Sequence, residues 1–170
     1  MGIRSQNNPI AAYLDVFSRS GTDAAGAVTS PSGLTASGGV ISDYITAPGD
    51  VYRAHIFTSS GAFDVTDDTS DFGDTVEYLV VAGGGGGANY RSGGGGAGGL
   101  RTNLSGHPRA GATFTVSASP GSYPVAVGGG GAAGYPAGAK GSNSNFGPIS
   151  STGGGHSRGA ATGNAGDGGS

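Results

Sequence analysis

Runs of glycine dominate the second half of this chain and limit what it can fold into. Of its 170 residues, 39 are glycine, and 30 of these lie from position 78 onward. Four or five glycines stand in succession at 83–87, 93–96 and 128–131. Glycine loses more backbone entropy on ordering than any other residue, so such runs are either flexible or held by many hydrogen bonds. This composition excludes an all-helical enzyme.

The ordered alternative for these runs is the polyglycine-II helix. It is an extended helix with three residues per turn, whose N–H and C=O groups all point sideways and are unused within the helix. Without Cβ atoms, such helices can lie side by side and bond to one another. The runs alternate with apolar strands and are interrupted by Ala, Tyr and Ser rather than Lys and Glu, which favours order. We therefore expect polyglycine-II layers.

Charge and cysteine content exclude several classes of partner and chemistry. The net charge is −3, divided into −7 over residues 1–77 and +4 over residues 78–170, so no basic surface for nucleic acid is present. The absence of cysteine excludes disulfides, thiolate metal sites and a cysteine nucleophile. The N-terminus has no apolar signal region, and no apolar run reaches the ~20 residues of a membrane helix, so we expect cytoplasmic synthesis and no membrane insertion.

The first 39 residues are predicted to form an anchoring helix and an extended arm. Asn8 suits an N-cap and Pro9 suits the first helical position. An apolar stripe at i, i+3, i+4 and i+7 follows, formed by Ile10, Tyr13, Leu14 and Phe17. So short a helix needs a partner for its stripe, either its own domain or a larger assembly. The Gly/Ala/Ser/Thr-rich stretch up to residue 39 is typical of a connector.

The remaining sequence predicts a mainly β fold: a small antiparallel β domain at 40–82 and a glycine-rich domain at 83–170 that continues beyond 170. Period-two patterning at 51–58, with a turn at Ser60–Gly61, predicts a hairpin with 63–65. Residues 76–82 are apolar on both faces, as in a central buried strand. A second hairpin is expected at 112–127, inserted between the glycine runs.

No pattern for catalysis, a cofactor or a metal stands out. The GxGxxG match at 93–98 is followed by no helical pattern, and no serine lies in a nucleophile elbow. His55, His107 and His156 are isolated. The acidic stretch 64–77 offers the best metal ligands, but Phe72 stands where a calcium loop needs glycine. We expect no enzyme, no cofactor and no metal site.

Polar and aromatic residues among the glycine segments are candidate receptor contacts. They are Tyr90, Arg91, Tyr135, Asn143 and Asn145. Aromatic and amide side chains on loops of a rigid scaffold can touch sugars or a cell-surface protein, and they can equally serve to cover the sheet. The sequence leaves both roles open.

The order of elements resembles the glycine-rich domain of bacteriophage tail fibres and adhesins over roughly residues 52–170. The matching stretches are FTSSGAFDV (57–65), VEYLVVA (76–82) with the glycine run after it, GGGGAGGL (93–100), YPVAVGGGGAAG (123–134) and GSNSNFGPISSTGGG (141–155). The resemblance implies a virion structural protein that is bound to the particle and presents its glycine-rich domain to a host receptor.

Several expectations accompany this resemblance. The resemblance does not extend to residues 1–40, which would be the place for attachment to other virion proteins. Because a small core gains from oligomerisation, we expect a homo-oligomer, with three copies as the favoured number. Two alternatives stay open: a capsid decoration or head-fibre protein, and a cellular extracellular glycine-rich matrix protein.

Overall fold

The computed structural model describes residues 33–47, 50–68, 73–159 and 164–167, which belong to one compact unit, Gly33–Ser170. The predicted N-terminal helix with its apolar stripe lies outside the described residues. Within the described part the regular elements are all strands, and the strands pair antiparallel in small sheets. The expectation of a mainly β fold is confirmed.

Eleven strands are defined in the described part. In chain order they are β1 (Thr35–Ser37), β2 (Val40–Ala47), β3 (Asp50–Ile56), β4 (Gly61–Asp67), β5 (Thr75–Val76), β6 (Leu79–Val81), β7 (Leu100–Thr102), β8 (Phe114–Thr115), β9 (Ser122–Ala126), β10 (Ser144–Phe146) and β11 (Ile149–Ser151). The main sheet has the order β1-β4-β9-β10-β11, and three two-stranded sheets are formed by β2-β3, β5-β8 and β6-β7. No helix of the described residues is long and apolar enough to cross a membrane.

An aromatic cluster forms the core beside the main sheet. Phe63 and Val65 on β4 are buried together with Val116. The ring of Phe146 on β10 meets the ring edges of Phe63 and Phe114, with centroids 5.8 and 5.1 Å apart. Such edge-to-face contacts contribute about 0.5–1.5 kcal/mol each beyond the area they bury. Side-chain packing therefore holds this part of the molecule together.

The hairpin predicted between residues 51–58 and 63–65 is wrong. β3 pairs along its length with β2, whereas β4 pairs with β1 and β9. β1 and β2 are joined by Gly38 and Gly39, whose φ angles are +108° and +65°. An added Cβ at Gly38 would overlap the carbonyl oxygen of Ala62, so only glycine allows this close approach to β4. Beyond these glycines, β2 runs antiparallel to β3, with Val40 opposite Ile56.

The hairpin predicted at 112–127 is also wrong. β8 pairs with β5, while β9 lies between β4 and β10 in the main sheet. The two segments are still in contact through side chains, because the ring of Tyr123 on β9 packs against Phe114 and its hydroxyl accepts a hydrogen bond from the Ser117 amide at 2.7 Å. The backbone of β9 pairs with β4 and β10 instead.

Residues 76–82 do not form one buried strand as predicted. They are divided between β5 and β6, and Leu79 on β6 is 59% exposed. The side chain of Asn103 fills the gap: its amide donates to the carbonyl of Val76, and its oxygen accepts from the amide of Tyr78, both at 2.8 Å. A side-chain amide therefore replaces a strand partner at this point.

The glycine segments lie outside the strands and are joined by backbone hydrogen bonds. The segment at 82–89 is central and contacts four others, at 93–99, 131–134, 138–142 and 152–157. Bonds to each neighbour recur at steps of three residues: Ala82 N to Gly99 O and Gly85 N to Gly96 O; Gly131 N to Gly84 O and Gly134 N to Gly87 O; Gly83 N to Ser142 O and Gly86 N to Ala139 O; Gly154 N to Gly83 O and Ser157 N to Gly86 O. Their donor–acceptor distances are 2.8–3.2 Å.

At many of these positions the neighbouring backbone lies so close that only glycine fits. An added Cβ at Gly85 would overlap the carbonyl oxygen of Gly155, and one at Gly154 would overlap that of Gly96. Both obstacles are backbone atoms, which cannot swing aside. By contrast, an added Cβ at Gly129 would meet nothing within 4 Å. The absence of side chains is therefore what allows the segments to approach.

The main sheet combines strands from all three predicted regions. β1 belongs to the predicted arm, β4 to the predicted β domain, and β9 to β11 to the predicted glycine-rich domain. The boundaries at 39/40 and 82/83 stay predictions, although the sheet spans both.

Candidate functional site

Three loops meet at one end of the glycine segments and form a tip, defined here as residues 88–92, 134–137 and 157–159. The parallel pairing of 84 with 131 and of 87 with 134 carries the first two loops to the same end. Ala88 and Gly134 form a bridge, and the Asn89 amide donates to the Gly134 carbonyl at 2.9 Å. The third loop joins through the Gly159 amide, which donates to the Pro136 carbonyl at 2.9 Å.

The buried hydroxyl of Ser157 links two of these loops. Its Oγ accepts a hydrogen bond from the Ala88 amide at 2.8 Å and donates to the Ser92 Oγ at 3.3 Å. Ser92 in turn donates to the Ala88 carbonyl at 2.7 Å, which closes the network. A loop held in this way has fewer conformations to lose when it binds a ligand.

The tip presents aromatic and cationic side chains to solvent. Tyr135 is 75% exposed and Tyr90 is 54% exposed. The Arg91 guanidinium lies over the Tyr90 ring, 5.2 Å from its centroid. Arg91 has a φ of +43°, an uncommon conformation outside glycine that indicates a constrained turn. The structure therefore brings together Tyr90, Arg91 and Tyr135, three of the five candidate contacts.

Asn143 and Asn145 lie at the opposite end of the glycine segments. The preceding residue, Ser142, accepts its bond from Gly83, whereas the tip lies beyond Gly87. The Asn143 Oδ1 accepts a hydrogen bond from the Gly153 amide at 2.9 Å, and Asn145 lies within β10. Their surroundings place both residues in the framework rather than beside the other three candidates.

The chemistry available at the tip is stacking and anion binding. Its sequence includes Arg91 and Arg158 and no acidic residue. Exposed tyrosine rings offer flat apolar faces, and guanidinium groups bind carboxylate or phosphate with paired hydrogen bonds. Aromatic residues and arginine are also the residue types that contribute most at protein interfaces. The tip can therefore bind a sugar, an anionic group or a protein loop.

The three histidines lie apart from one another. His55 Nδ1 is 2.8 Å from the Gly38 carbonyl and its ring meets the Phe63 ring edge-on, while the His107 Nδ1 accepts from the Arg109 amide at 3.1 Å. The His156 carbonyl accepts from the Gly166 amide at 3.0 Å. No group of three or more His, Asp or Glu side chains suited to a metal occurs among the described residues.

No sequence pattern identifies the two serines that organise the tip. Ser92 and Ser157 are two of many serines, 65 positions apart, and no local pattern distinguishes them. Their contact depends on the register in which the glycine segments pair. The glycine runs contain no alternation of apolar and polar residues from which this register could be predicted. Only the paired segments reveal the contact.

Comparison with known proteins identifies the family. The family model of the glycine-rich domain matches residues 58–170, which is more than half of the chain. No curated protein and no solved structure shows significant similarity to this chain. The matched region begins just before β4 and includes the glycine segments, the tip and β4 to β11. The chain therefore belongs to the glycine-rich domain family.

Proposed function

We propose that this chain is a structural, non-enzymatic bacteriophage virion protein of the fibre or adhesin type. Its glycine-rich domain would present the tip to a receptor on the host cell surface, and residues 1–40 would bind other proteins of the particle. Family membership over 58–170 and the order of elements that resembles phage fibres support this proposal. Under it, the stripe of Ile10, Tyr13, Leu14 and Phe17 makes the anchoring contact, and several copies, three by expectation, assemble in the virion.

The proposal includes polyglycine-II layers as the stiffening element. The hydrogen bonds between glycine segments recur at steps of three residues, as neighbouring helices of three residues per turn require. The central segment at 82–89 bonds to four neighbouring segments, whereas a strand within a flat sheet can bond to only two. A bundle of this kind would hold the tip rigid without a large apolar core.

The observation that most supports a binding role is the convergence of three hydrogen-bonded loops around two exposed tyrosines and Arg91. Binding residues are found preferentially on loops positioned by a rigid scaffold. Tyr135, at 75% exposure, contributes little to the folded state where it lies, so its apolar ring is available to a ligand. This arrangement supports recognition rather than catalysis.

Location on the particle is the first test. Antibody raised against the chain should label phage particles purified from cells that produce it, and the gold should lie at the tail. Label on the head would favour a decoration protein over a tail fibre. Label on cells and none on particles would contradict the virion role and favour an extracellular matrix protein.

Binding by the tip is the second test. Fluorescently labelled full-length protein should bind cells of the bacterium in which the particle multiplies, and Arg91→Ala/Tyr135→Ala should weaken this binding at least ~10-fold, since interface tyrosine and arginine are common hot spots. The matched control is Leu104→Ala/Arg109→Ala, because both residues are exposed and lie outside the tip. Equal loss in the two double variants would contradict a receptor site at the tip.

A further inference from the structure

The β2-β3 hairpin, called the ribbon below, is exposed to an unusual degree for a two-stranded element. It forms a sheet of its own, and neither outer edge pairs with another described strand. Six large apolar side chains on it are exposed by 46% to 71%: Val40, Ile41, Tyr44, Ile45, Tyr52 and Ile56. A two-stranded hairpin alone is at best marginally stable in water. The ribbon therefore needs a partner surface.

The strand register divides these side chains between two faces. Tyr44 lies opposite Tyr52, and Val40 lies opposite Ile56, so these four residues share one face, called the apolar face. The two tyrosine rings stack with centroids 5.5 Å apart and planes 16° apart. The two rings are therefore already packed against each other before any partner binds.

Two charged side chains of the ribbon, Asp43 and Arg53, neutralise each other. Arg53 lies opposite Asp43 and donates two hydrogen bonds to its carboxylate, at 2.8 and 2.9 Å. These bonds lower the pKa of Asp43 and raise the pKa of Arg53 from their ordinary values. Among the described side chains of the ribbon this leaves no charge in need of a counter-charge, which favours an apolar partner over a strongly acidic or basic one.

The ribbon lacks two of the features that block strand pairing at an edge. The sequences VISDYITA and DVYRAHI contain neither lysine nor proline. A cleft of about 360 Å³ at the base of the ribbon adjoins Val40 and Ile56 and is lined by Phe57 and residues 58–62. The apolar face thus continues into a recess that can take a side chain.

The apolar face supplies part of the area that an interface between protein copies buries. At ~200 Å² for a whole tyrosine and somewhat less for valine or isoleucine, its four side chains, exposed by 46% to 64%, present roughly 350 Å². An apolar patch of this size is often functional, and it would provide somewhat less than half of the roughly 800 Å² that each partner buries in a stable interface.

We propose that the ribbon is the self-association surface of this protein, on which the apolar face of one copy packs against the apolar face of a second copy. Val, Ile and two stacked tyrosines on one face can pack against the same set on a second copy, as a two-fold interface requires. The inference rests only on the assembly part of the proposed function, which it deepens by assigning a surface, and it makes the self-associating unit a pair of copies rather than the expected three.

The test measures the mass of the full-length chain in solution. Light scattering after size exclusion, over roughly 1–100 µM, detects assemblies with micromolar dissociation constants. The wild type should have the mass of two or more copies, and Tyr44→Ser/Ile56→Ser should raise the dissociation constant at least ~10-fold. The matched control is Leu79→Ser/Tyr135→Ser, since both residues are at least as exposed and lie off the ribbon. This control should associate like the wild type.

Three outcomes would overturn the proposal. They are a wild type with single-chain mass throughout the range, equal weakening by the ribbon and control variants, and an oligomer that is dissociated by Leu14→Asp/Phe17→Asp but not by the ribbon variant. The last would locate self-association in the N-terminal segment. Circular dichroism and the melting temperature verify that each variant is folded. A single-copy protein that still labels phage particles would overturn this inference while leaving the virion role intact.

Discussion

The aromatic core is stabilised by contacts between side chains, whereas the glycine segments are stabilised by hydrogen bonds between backbone groups. Around Phe63 and Val116, buried side chains and ring contacts hold the strands together. Around Gly85 and Gly154, backbone amides bond to backbone carbonyls, and a Cβ added at either glycine would overlap a neighbouring carbonyl. The comparison teaches that a chain with a small core can extend its ordered region by omitting side chains, provided that its backbone groups find partners in neighbouring segments.

The largest effect is expected from truncation of the aromatic core. Phe63→Ala should lower the free energy of unfolding by about 3–5 kcal/mol, because Phe63 is 94% buried and its ring contacts Phe146 and His55. Urea unfolding followed by circular dichroism measures the loss. The control, Leu79→Ala, should change stability much less because Leu79 is mostly exposed. Similar losses in both variants would contradict a core centred on Phe63.

A methyl group inside the glycine segments should have the next largest effect. Gly154→Ala should cost roughly 3 kcal/mol, because its Cβ would overlap the Gly96 carbonyl and backbone cannot move aside as a side chain would. Gly129→Ala is the matched control, since its Cβ would meet nothing within 4 Å. The control should be neutral or stabilising by up to about 1 kcal/mol, because alanine restricts the unfolded chain. Thermal unfolding in which both variants lose stability equally would refute the steric argument.

A smaller effect is expected at the tip, where one side chain bonds to the backbone. Ser157→Ala leaves the partly buried Ala88 amide without its acceptor and should cost about 1 kcal/mol, the lower end of the penalty for an unpaired donor. Because Ser92 shares this network, the double variant Ser92→Ala/Ser157→Ala should lose less than the sum of the single losses. Strict additivity in chemical denaturation would mean that the two hydroxyls act separately.

The smallest effect is expected from the exposed ion pair on the ribbon. Hydrogen bonds from Arg53 lower the pKa of Asp43 below its ordinary 3.8, so the pair stabilises the fold above that pH and loses this contribution as the pH falls through the lowered value. Exposure of both side chains keeps the effect small. NMR titration of the Asp43 carboxyl carbon measures the shift directly, and Arg53→Ala should abolish it. An Asp43 pKa at or above 3.8 in the wild type would contradict the pairing.

Sequence patterns predicted the type of structure better than its connections. The change in glycine content near position 78 and the period-two stretches correctly indicated strands and glycine segments. The partners of β3 and β9 were wrong, because alternation tells which residues form a strand and not which strand lies beside it. The partners found, β2 for β3 and both β4 and β10 for β9, depend on contacts between segments that this alternation does not encode.

The candidate site was predictable only in part for a related reason. Tyr90, Arg91 and Tyr135 stood out as large side chains between glycine runs, and they do lie together. Asn143 stood out equally, yet its side chain bonds to the Gly153 amide at the other end of the segments. Which residues meet depends on the register of the glycine segments, which is set by backbone bonds that have no counterpart in side-chain pattern.

Hydrogen exchange of individual glycine amides tests most directly whether backbone bonds between segments hold the glycine half together. NMR should show slow exchange at Gly85, Gly86, Gly131 and Gly154, whose amides donate to other segments. Gly93 and Gly129, whose amides donate no backbone hydrogen bond among the described residues, provide the fast-exchanging comparison. Protection at the first set and rapid exchange at the second is the predicted result. Uniformly rapid exchange at all six would contradict the account.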